Sequence, residues 1–289
     1  MKKIFFTKMN GAGNDFIIID KMKNKGFSLS QNQIANLCHR RNGIGADGLI
    51  LISNSKDSDF MMQYFNSDGL EGSLCGNGAR CAIQYAADSK ILRSEKAVFM
   101  VKNEIYQGEI IKDGLVRFFL KPPKKIKLNF RIKAASQLIR SHFVDTGSPH
   151  VVIEIEDVLA LPKDLNSKYR HIQNFPVLEI GKEIRHHKDF YPDGTNVNFI
   201  QIKNDEISIR TYERGVENET LSCGTGSVAA AVIASAYRQL KPPIKIKTWG
   251  GDEMIVNFQN VGNRFENVSL KGPARTVFSG EFDLDEFNK

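Results

Sequence analysis

Two stretches of this sequence share one plan: "SLCGNGARCAIQYAADSK" at residues 73–90 and "LSCGTGSVAAAVIASAYRQ" at residues 221–239. In each, a cysteine precedes a Gly-x-Gly turn and a run rich in alanine. The first run places small apolar residues at the spacing of one helix face, and the second is apolar almost throughout, which predicts two buried helices. We therefore expect Cys75 and Cys223 each to stand at or just before the first turn of a helix.

A cysteine at such a position has a particular electrostatic environment. The first N–H groups of a helix have no partner within it, and the helix dipole is positive there, so both favour an anion. They should lower the pKa of each thiol from about 8.5 toward neutrality. The glycines of the two turns would let a ligand approach the backbone. Simple packing of a small apolar side chain is the alternative for either cysteine alone, but it leaves the matched pair unexplained.

The rest of the sequence also repeats once. Runs of β-branched and aromatic residues between turn residues predict strands, and those of the second half follow the order of the first about 135 to 150 residues later. A further helix is predicted from Ser30, with Cys38 packed on its apolar face. The predicted strands are 15–20, 48–52, 60–66, 97–101, 104–110 and 115–120, then 150–155, 194–202, 207–214, 244–249 and 253–258.

This order predicts an α+β protein of two pseudo-symmetric domains, each a curled antiparallel or mixed sheet around a central helix. The stretch "KPPKKIKLNF" (121–130) is predicted to connect the halves, because it holds two prolines and a run of lysines. We expect one domain at 1–121 and another at 122–274. The final run, within 275–289, is expected to return as an extra strand of the first domain.

Composition narrows the class of protein. The chain has 289 residues, a formal charge of +7 and 41% hydrophobic residues, which is ordinary for a soluble globular protein. Basic residues are spread along the chain without an aromatic-interleaved motif, so no nucleic-acid partner is expected. The apolar run after Met1 is too short for a signal peptide, and no run approaches the length of a membrane span. We expect a cytoplasmic protein with four reduced thiols and no membrane partner.

Several common sites are excluded by spacing. The four cysteines form no Cys-x-x-Cys pair and no zinc spacing, so no metal is expected. The turn after Cys75 lacks the third glycine of a dinucleotide fingerprint, and no Gly-Lys-Ser/Thr ending marks a phosphate loop. Two thiols on facing domains would instead suit inversion at one carbon, with one removing a proton and the other delivering one to the opposite face.

Six blocks of the sequence resemble, in order, the signatures of the diaminopimelate epimerase family and span essentially the whole chain. That resemblance implies an epimerase without pyridoxal or any other cofactor, a small-molecule substrate and a homodimer. The blocks are "KMNGAGNDFIIID", "RNGIGADGLI", "FNSDGLEGSLCGNGARC", "TGSPHVV", "GTNVNF" and "YERGVENETLSCGTG".

The resemblance also implies residue roles. Cys75 and Cys223 would be the acid/base pair, with His150 and Glu213 tuning the thiols. Main-chain N–H groups at the two turns would bind the carboxylate of the inverting centre, and polar side chains would hold the rest of the substrate. These binding residues are Gly76, Asn77, Gly224 and Thr225 at the turns, and Asn14, Asn66, Asn196, Glu213 and Arg214 elsewhere.

The sequence departs from the family at two positions. Ser148 stands where asparagine is common, and Gly48 stands where some members carry glutamine. We expect these to change details of binding and not the reaction. Cys81 matches no acid/base position and is predicted to pack in the core.

Three other functions stay open. A proline or hydroxyproline racemase of the same architecture would also use two thiols, but its substrate would give Asn66, Asn196 and Arg214 less to hold. A thiol redox protein would cycle a Cys75–Cys223 disulfide. A nucleic-acid binder would show strongly salt-dependent affinity, and it would leave the duplicated cysteines unexplained.

Overall fold

The structure is a computed structural model that describes residues 3–72, 74–112, 114–262 and 264–287. It divides into two compact units, Met1–Phe119 with Lys271–Lys289, and Leu120–Leu270. We call them unit 1 and unit 2. The fold is strand-rich α+β, as predicted, and each unit has a mixed sheet that packs around one helix.

Unit 1 begins with nine elements in chain order. The predicted strands are confirmed to within one or two residues at each end, and β1 was not predicted, since its apolar residues are few and interrupted by lysines. The elements are β1 (Lys3–Gly11), β2 (Asn14–Asp20), α1 (Gln31–Cys38), β3 (Gly48–Ser53), β4 (Phe60–Asn66), α2 (Gly76–Asp88), β5 (Lys96–Val101), β6 (Glu104–Lys112) and β7 (Leu115–Phe119).

From Lys124 onward, the described residues form two α-helices and ten strands. It also has short 3-10 helices at Ile155–Asp157, Ile172–Asn174, Lys188–Phe190 and Leu284–Phe287. The elements are β8 (Lys124–Ala134), β9 (Gln137–Asp145), β10 (Pro149–Glu154), α3 (Val177–Arg185), β11 (Asn196–Lys203), β12 (Glu206–Glu213), β13 (Asn218–Thr220), α4 (Gly224–Arg238), β14 (Ile244–Lys247), β15 (Glu253–Val261), β16 (Arg264–Pro273) and β17 (Arg275–Asp283).

The two units repeat one strand order and one set of directions. In unit 1 the order is β17-β1-β2-β3-β4-β5-β6, and in unit 2 it is β8-β9-β10-β11-β12-β14-β15. Along both series the pairings run antiparallel, antiparallel, parallel, antiparallel, parallel, antiparallel. The expected extra strand is thus β17, which pairs with β1, and its counterpart in unit 2 is β8.

The predicted connector at 121–130 is wrong over most of its length. From Lys124 the chain is strand β8, which pairs antiparallel with β9 and shows register shifts along the way. Its prolines precede the strand, and its lysines are mostly exposed. The run of lysines therefore gave no local indication of β8, because this strand is held by backbone pairing with β9.

In each unit the first parallel strand pair, β2–β3 or β10–β11, lies between two helices. On β2 and β3, Ile17 and Leu49 belong to an apolar cluster with α1, while Phe16 and Ile50 approach Gly78 of α2. Strands buried on both faces are typical of parallel pairs. Unit 2 repeats the arrangement, with a cluster against α3 on one face and α4 on the other.

The central helices are buried as predicted. Helix α2 contacts β1, β2, β3, β4, β6, β7 and β17, and α4 contacts β8, β9, β10, β11, β12, β14 and β15. Helix α4 is buried from Gly226 through Ser235 and ends at Gln239 in a left-handed conformation. Helix α1 begins at the predicted N-cap, Ser30, which forms a capping box with Gln33. Strand placement therefore fixes where both helix starts lie in their units.

Candidate active site

Both predicted cysteines are N-cap residues. Cys75 precedes α2 with φ −98° and ψ 118°, and Cys223 precedes α4 with φ −120° and ψ 114°. Each carbonyl accepts the first helical hydrogen bond, from Ala79 N at 2.8 Å and Ser227 N at 2.9 Å. We call residues 75–78 the first helix start and residues 223–226 the second. The duplicated sequence motif therefore corresponds to a duplicated backbone.

The two sulfur atoms have different immediate neighbours. Cys75 is partly exposed, and its Sγ accepts a hydrogen bond from Gly78 N at 3.5 Å. Cys223 is 6% exposed, and its Sγ lies 3.6 Å from Thr225 Oγ1. A sulfur that accepts an N–H or O–H proton is stabilised in its thiolate form. The Cys75 sulfur thus accepts from the backbone in unit 1, whereas in unit 2 the Cys223 sulfur has a side-chain hydroxyl as its partner, and either of those two groups can donate.

The other two cysteines are core residues, as predicted. Cys38 packs between α1 and the sheet of unit 1, and Cys81 is fully buried inside α2. Burial raises the pKa of each thiol to about 12. Both stay protonated at neutral pH, so the two N-cap cysteines are the candidates for acid–base chemistry.

At the first helix start, a chain of amides runs from a buried cation to a carboxylate. Arg80 is fully buried and donates to Asn77 Oδ1 at 2.9 Å. Asn77 donates to Asn14 Oδ1 at 3.1 Å, and Asn14 donates to Asp47 Oδ2 at 2.6 Å. A guanidinium only donates and a carboxylate only accepts, so both amide orientations are fixed. The structure thus brings the predicted residues Asn14 and Asn77 into direct contact. Two residues that were not predicted, Arg80 and Asp47, bond to them at either end.

Asp47 belongs to an ionic cluster at the beginning of the parallel strand pair. Arg40 binds Asp15 in two-pronged fashion at 2.9 and 3.0 Å and reaches Asp47 at 2.6 Å. Lys8 lies 2.9 Å from Asp15 and also donates to Gly45 O. Burial alone would raise the pKa of Asp15, but the hydrogen bonds from Arg40 and Lys8 outweigh it and lower that pKa to about 2. Both carboxylates appear in the quoted motifs, and only the strand register reveals that they meet.

His150 is the buried polar residue next to the second helix start of unit 2. It is fully buried, and its Nε2 lies 2.9 Å from both Ser148 Oγ and Thr225 Oγ1. Its Nδ1 lies 3.1 Å from Asn198 Nδ2. Burial lowers the pKa of His150 to about 3, with a further lowering from the charge of Arg214. The imidazole is therefore neutral throughout the physiological range.

The remaining residues predicted for unit 2 lie at the ends of β11 and β12. Asn196 is buried, donates to Pro149 O at 3.0 Å and accepts from Arg214 N at 2.9 Å. Glu213 accepts from Thr220 Oγ1 at 2.8 Å, and both Glu213 and Arg214 are partly exposed. Asn196 therefore fixes the backbone of the turn that carries the two charged side chains.

Two residues of unit 1 stand apart from these hydrogen-bond chains. Asn66 is exposed at the end of β4. Gly48 pairs with Asn66 across the sheet, and a Cβ there would meet Phe65 O and the ring of Tyr64 at 2.5 Å. A larger side chain at position 48 would need both neighbours to move, which explains the departure from glutamine by packing.

The second glycines of the two turns lie close to their own sheets. A Cβ on Gly226 would lie 2.4 Å from Asn198 Oδ1, and a Cβ on Gly78 would lie 3.2 Å from Ile50 Cδ1. These glycines therefore allow the first helical turn to approach its own sheet, and their role toward a ligand stays a prediction.

The described ranges hold no cluster of three or more His, Cys, Asp or Glu side chains placed to share a metal ion. Within the same part of the chain, no helix combines the length and apolar character needed to cross a membrane.

Comparison with known proteins identifies a family. The family model described as diaminopimelate epimerase matches residues 6–126 and 142–277. The diaminopimelate epimerase of Chlorobaculum tepidum is 40% identical, covering 96% of this chain and 100% of that protein. The one from Methanocella arvoryzae is 38% identical, covering 99% of each. These matches extend over nearly the whole sequence.

Solved structures with low sequence identity share the fold. A hydroxyproline epimerase from Agrobacterium vitis, crystallised with trans-4-hydroxy-L-proline, superposes with a TM-score of 0.72 at 14% identity, covering 98% of this chain and 93% of that one. A PhzF-family phenazine biosynthesis protein from Bacillus anthracis gives 0.71 at 15% identity, covering 98% and 100%. At these identities the likeness concerns the fold alone.

Proposed function

The chain belongs to the diaminopimelate epimerase family and is an isomerase, and from that premise we propose that it interconverts LL- and meso-2,6-diaminopimelate by proton transfer between Cys75 and Cys223. The observation that carries the mechanism is the pair of N-cap cysteines at matched positions of the repeated fold. The Cys75 sulfur accepts a hydrogen bond and the Cys223 sulfur lies within hydrogen-bond distance of a hydroxyl, whereas burial raises the pKa of the two core thiols to about 12.

In the proposed reaction, one cysteine starts as a thiolate and the other as a thiol. The thiolate takes the α-proton as the C–H bond breaks, and the electron pair is left on the α-carbon. The thiol then delivers its proton to the opposite face, so a new C–H bond forms with inverted configuration. The enzyme ends with its two protonation states exchanged, and each direction of the reaction begins from one of them.

Main-chain donors would stabilise the charge that develops on the substrate. The N–H groups at Gly76 and Asn77, and at Gly224 and Thr225, belong to the first turns of α2 and α4, where the helix dipoles favour an anion. Such donors would bind the carboxylate next to the reacting carbon and stabilise the carbanionic transition state. No cofactor enters this proposal.

Polar side chains would hold the second amino-acid end of the substrate. Arg214 offers a planar fork for a carboxylate, and Glu213 can accept from an ammonium group. Asn14, Asn66 and Asn196 supply amides, of which Asn14 and Asn196 are already oriented by their neighbours. His150 and Glu213 are proposed to tune the thiols.

We place the enzyme in bacterial lysine and cell-wall precursor biosynthesis, as a cytoplasmic homodimer. We also propose that units 1 and 2 are the two predicted domains. These statements rest on family membership.

A wash-in assay in deuterated water tests the reaction. Solvent deuterium should enter the α-position of both LL- and meso-diaminopimelate, and it should not enter L- or D-proline. Exchange into proline without exchange into diaminopimelate would assign the chain to the racemases that act on cyclic substrates.

The thiol redox alternative predicts a reducible Cys75–Cys223 disulfide in the working cycle and no stereochemical activity. If Cys75 and Cys223 work as proton carriers, joining them in a disulfide must abolish exchange, and a thiol reductant must restore it. Full exchange by the oxidised enzyme would refute the two-base role.

A further inference from the structure

Asn198 is a buried polar residue of β11, and its amide orientation is fixed from two sides. Its Nδ2 donates to Val151 O at 2.9 Å, and its Oδ1 accepts from Thr211 Oγ1 at 3.0 Å. A backbone carbonyl can only accept, so the assignment of nitrogen and oxygen follows from the bond to Val151. Gly226 leaves room for this amide against the second helix start.

The orientation of Asn198 determines which nitrogen of His150 carries the proton. The second N–H of the amide lies toward Nδ1 of His150, at 3.1 Å. Nδ1 must therefore accept, and in the neutral ring the hydrogen resides on Nε2.

The donor on Nε2 then sets the direction of two hydroxyl groups. Nε2 lies 2.9 Å from both Ser148 Oγ and Thr225 Oγ1, and Ser148 Oγ donates to Thr225 Oγ1 at 3.3 Å. Whether Nε2 donates to Thr225 directly or through Ser148, Thr225 Oγ1 accepts. Its own proton is left for Cys223 Sγ, 3.6 Å away.

Resting on the function proposed above, we propose that Asn198 is a positioning residue: it holds His150 in the Nε2–H tautomer, so that hydrogen bonds donated in one direction end with the Thr225 hydroxyl proton on Cys223 Sγ. This O–H donor stabilises the Cys223 thiolate and keeps its lone pair oriented when the sulfur must take a proton. The chain also assigns a role to Ser148, which joins His150 to Thr225.

Nitrogen-15 NMR of the full-length protein tests the tautomer without any reference to activity. The chain has six histidines, and His150→Gln identifies the His150 signals by their loss. Wild-type protein should show a protonated-type shift for Nε2 and an unprotonated-type shift for Nδ1. Asn198→Asp, which keeps the shape but replaces the donor by an acceptor, should exchange the two assignments. Nδ1–H in the wild-type protein would overturn the proposal.

The matched control for Asn198→Asp is Gln201→Glu. Gln201 is also buried on β11, and its amide donates to Arg170 O at 2.6 Å. The Gln201→Glu substitution makes the same change from amide to acid, three residues away along β11. In this variant the His150 signals should be those of the wild type. An exchange of the His150 assignments in both variants would mean that the tautomer follows general strain in β11, and would also refute the role of Asn198.

Alkylation of Cys223 tests the end of the chain. In Thr225→Val, which keeps the shape of the side chain, the rate of Cys223 alkylation at pH 7 should fall by about 3- to 10-fold, because the thiolate loses one hydrogen bond. Thr225→Ser should restore the rate, since it returns the hydroxyl. Peptide mass spectrometry separates Cys223 from the other thiols. Equal rates in Thr225→Val and wild type would refute the directed hydroxyl.

These measurements fail separately from the proposed function. If diaminopimelate shows no exchange while the tautomer and the alkylation rates are as expected, the hydrogen-bond chain stands and the proposed reaction falls. If diaminopimelate exchanges but Nδ1 carries the proton, the reaction stands and the role of Asn198 falls.

Discussion

The first and second helix starts have the same backbone but opposite electrostatic support. In unit 1 the donors run from the Arg80 guanidinium through Asn77 and Asn14 to a carboxylate, so the series begins and ends on charges. In unit 2 they run from the neutral amide of Asn198 through His150 to the Cys223 sulfur. By strand register and by the neighbours of Gly78 and Gly226, the counterpart of His150 in unit 1 is the apolar Phe16, and that of Asn198 is Ile50.

The difference shows that a duplicated fold preserves geometry more strictly than charge. Buried charges in unit 1 are tolerated because Arg40 and Lys8 compensate the carboxylates. Unit 2 instead places the buried imidazole of His150 beside its helix start, and burial keeps this imidazole neutral. The same architecture thus places the two N-cap thiols in different surroundings, as the proposed reaction requires of two groups that begin in different protonation states.

The strongest way to break the comparison is to remove each sulfur in turn. Cys75→Ala and Cys223→Ala should each reduce turnover by about 10⁴-fold, because either deletes one of the two proton carriers. Both variants should fold, as judged by circular dichroism, and the core variant Cys81→Ala should keep measurable turnover. Normal turnover in either N-cap variant would refute the proposal that the reaction requires both cysteines.

The next largest effect is expected in acid, where the stability of the protein should depend on the buried, neutral His150 of unit 2. The pKa of His150 is about 3 in the folded protein and about 6.5 when unfolded, so below pH 6.5 the unfolded state binds more protons. Stability should be fully present above pH 6.5 and lost as the pH falls toward 3, by on the order of 5 kcal/mol in total.

Urea unfolding at a series of pH values between 7 and 4 measures this loss. In His150→Gln, the free energy of unfolding should fall less steeply with falling pH. Burial also lowers the pKa of His142, so part of the slope should remain in the variant. An unchanged slope in His150→Gln would contradict a buried neutral His150.

Unit 1 should lose stability when the buried cation beside its helix start, Arg80, is removed. Arg80→Met keeps much of the side-chain volume but leaves the acceptors on Asn77, Gly76 and Pro273 without this donor. We expect the free energy of unfolding to fall by about 3 kcal/mol. Arg93→Met, at an exposed position, should change it by less than about 0.5 kcal/mol. Similar unfolding curves for the two variants would show that Arg80 does not support the first helix start.

The smallest expected effect is the loss of stability when Asp15 becomes protonated in acid. Burial opposes its ionisation, but Arg40 and Lys8 lower its pKa from 3.8 to about 2, so its contribution is present above pH 4 and lost as the pH falls through 2. Asp15→Asn should remove about 2 kcal/mol of that pH-dependent loss. Thermal unfolding measured from pH 4 to 2 would detect it, and parallel curves for variant and parent would place the cluster's stability elsewhere.

Local pattern in the sequence predicted most strands and both central helices. The runs of Ile, Val and Phe in β2, β3, β10 and β11 are buried on both faces, so their composition alone marks them. The cysteine positions followed from the Gly-x-Gly turns and the small residues after them.

Features that depend on tertiary packing were missed. Helix α3 contains Gly181, which lowers its propensity, and packing explains the residue because a Cβ there would lie 2.6 Å from Tyr212 Cβ. Strand β8 is mostly exposed, and five of its eleven residues are Lys or Arg. The contacts of Asp47, Arg80 and Asn198 depend on strand register and on helix approach, which no local pattern encodes.

The position of β17 has a consequence for the order of assembly during synthesis. β1 ends at Gly11, yet its antiparallel neighbour begins only at Arg275, whereas β8 to β15 of unit 2 are continuous in sequence. Closing so long a span is slow compared with local pairing. A fragment of residues 1–270, released from the ribosome, should therefore present an unpaired β1 edge to chaperones while its unit 2 already resists protease.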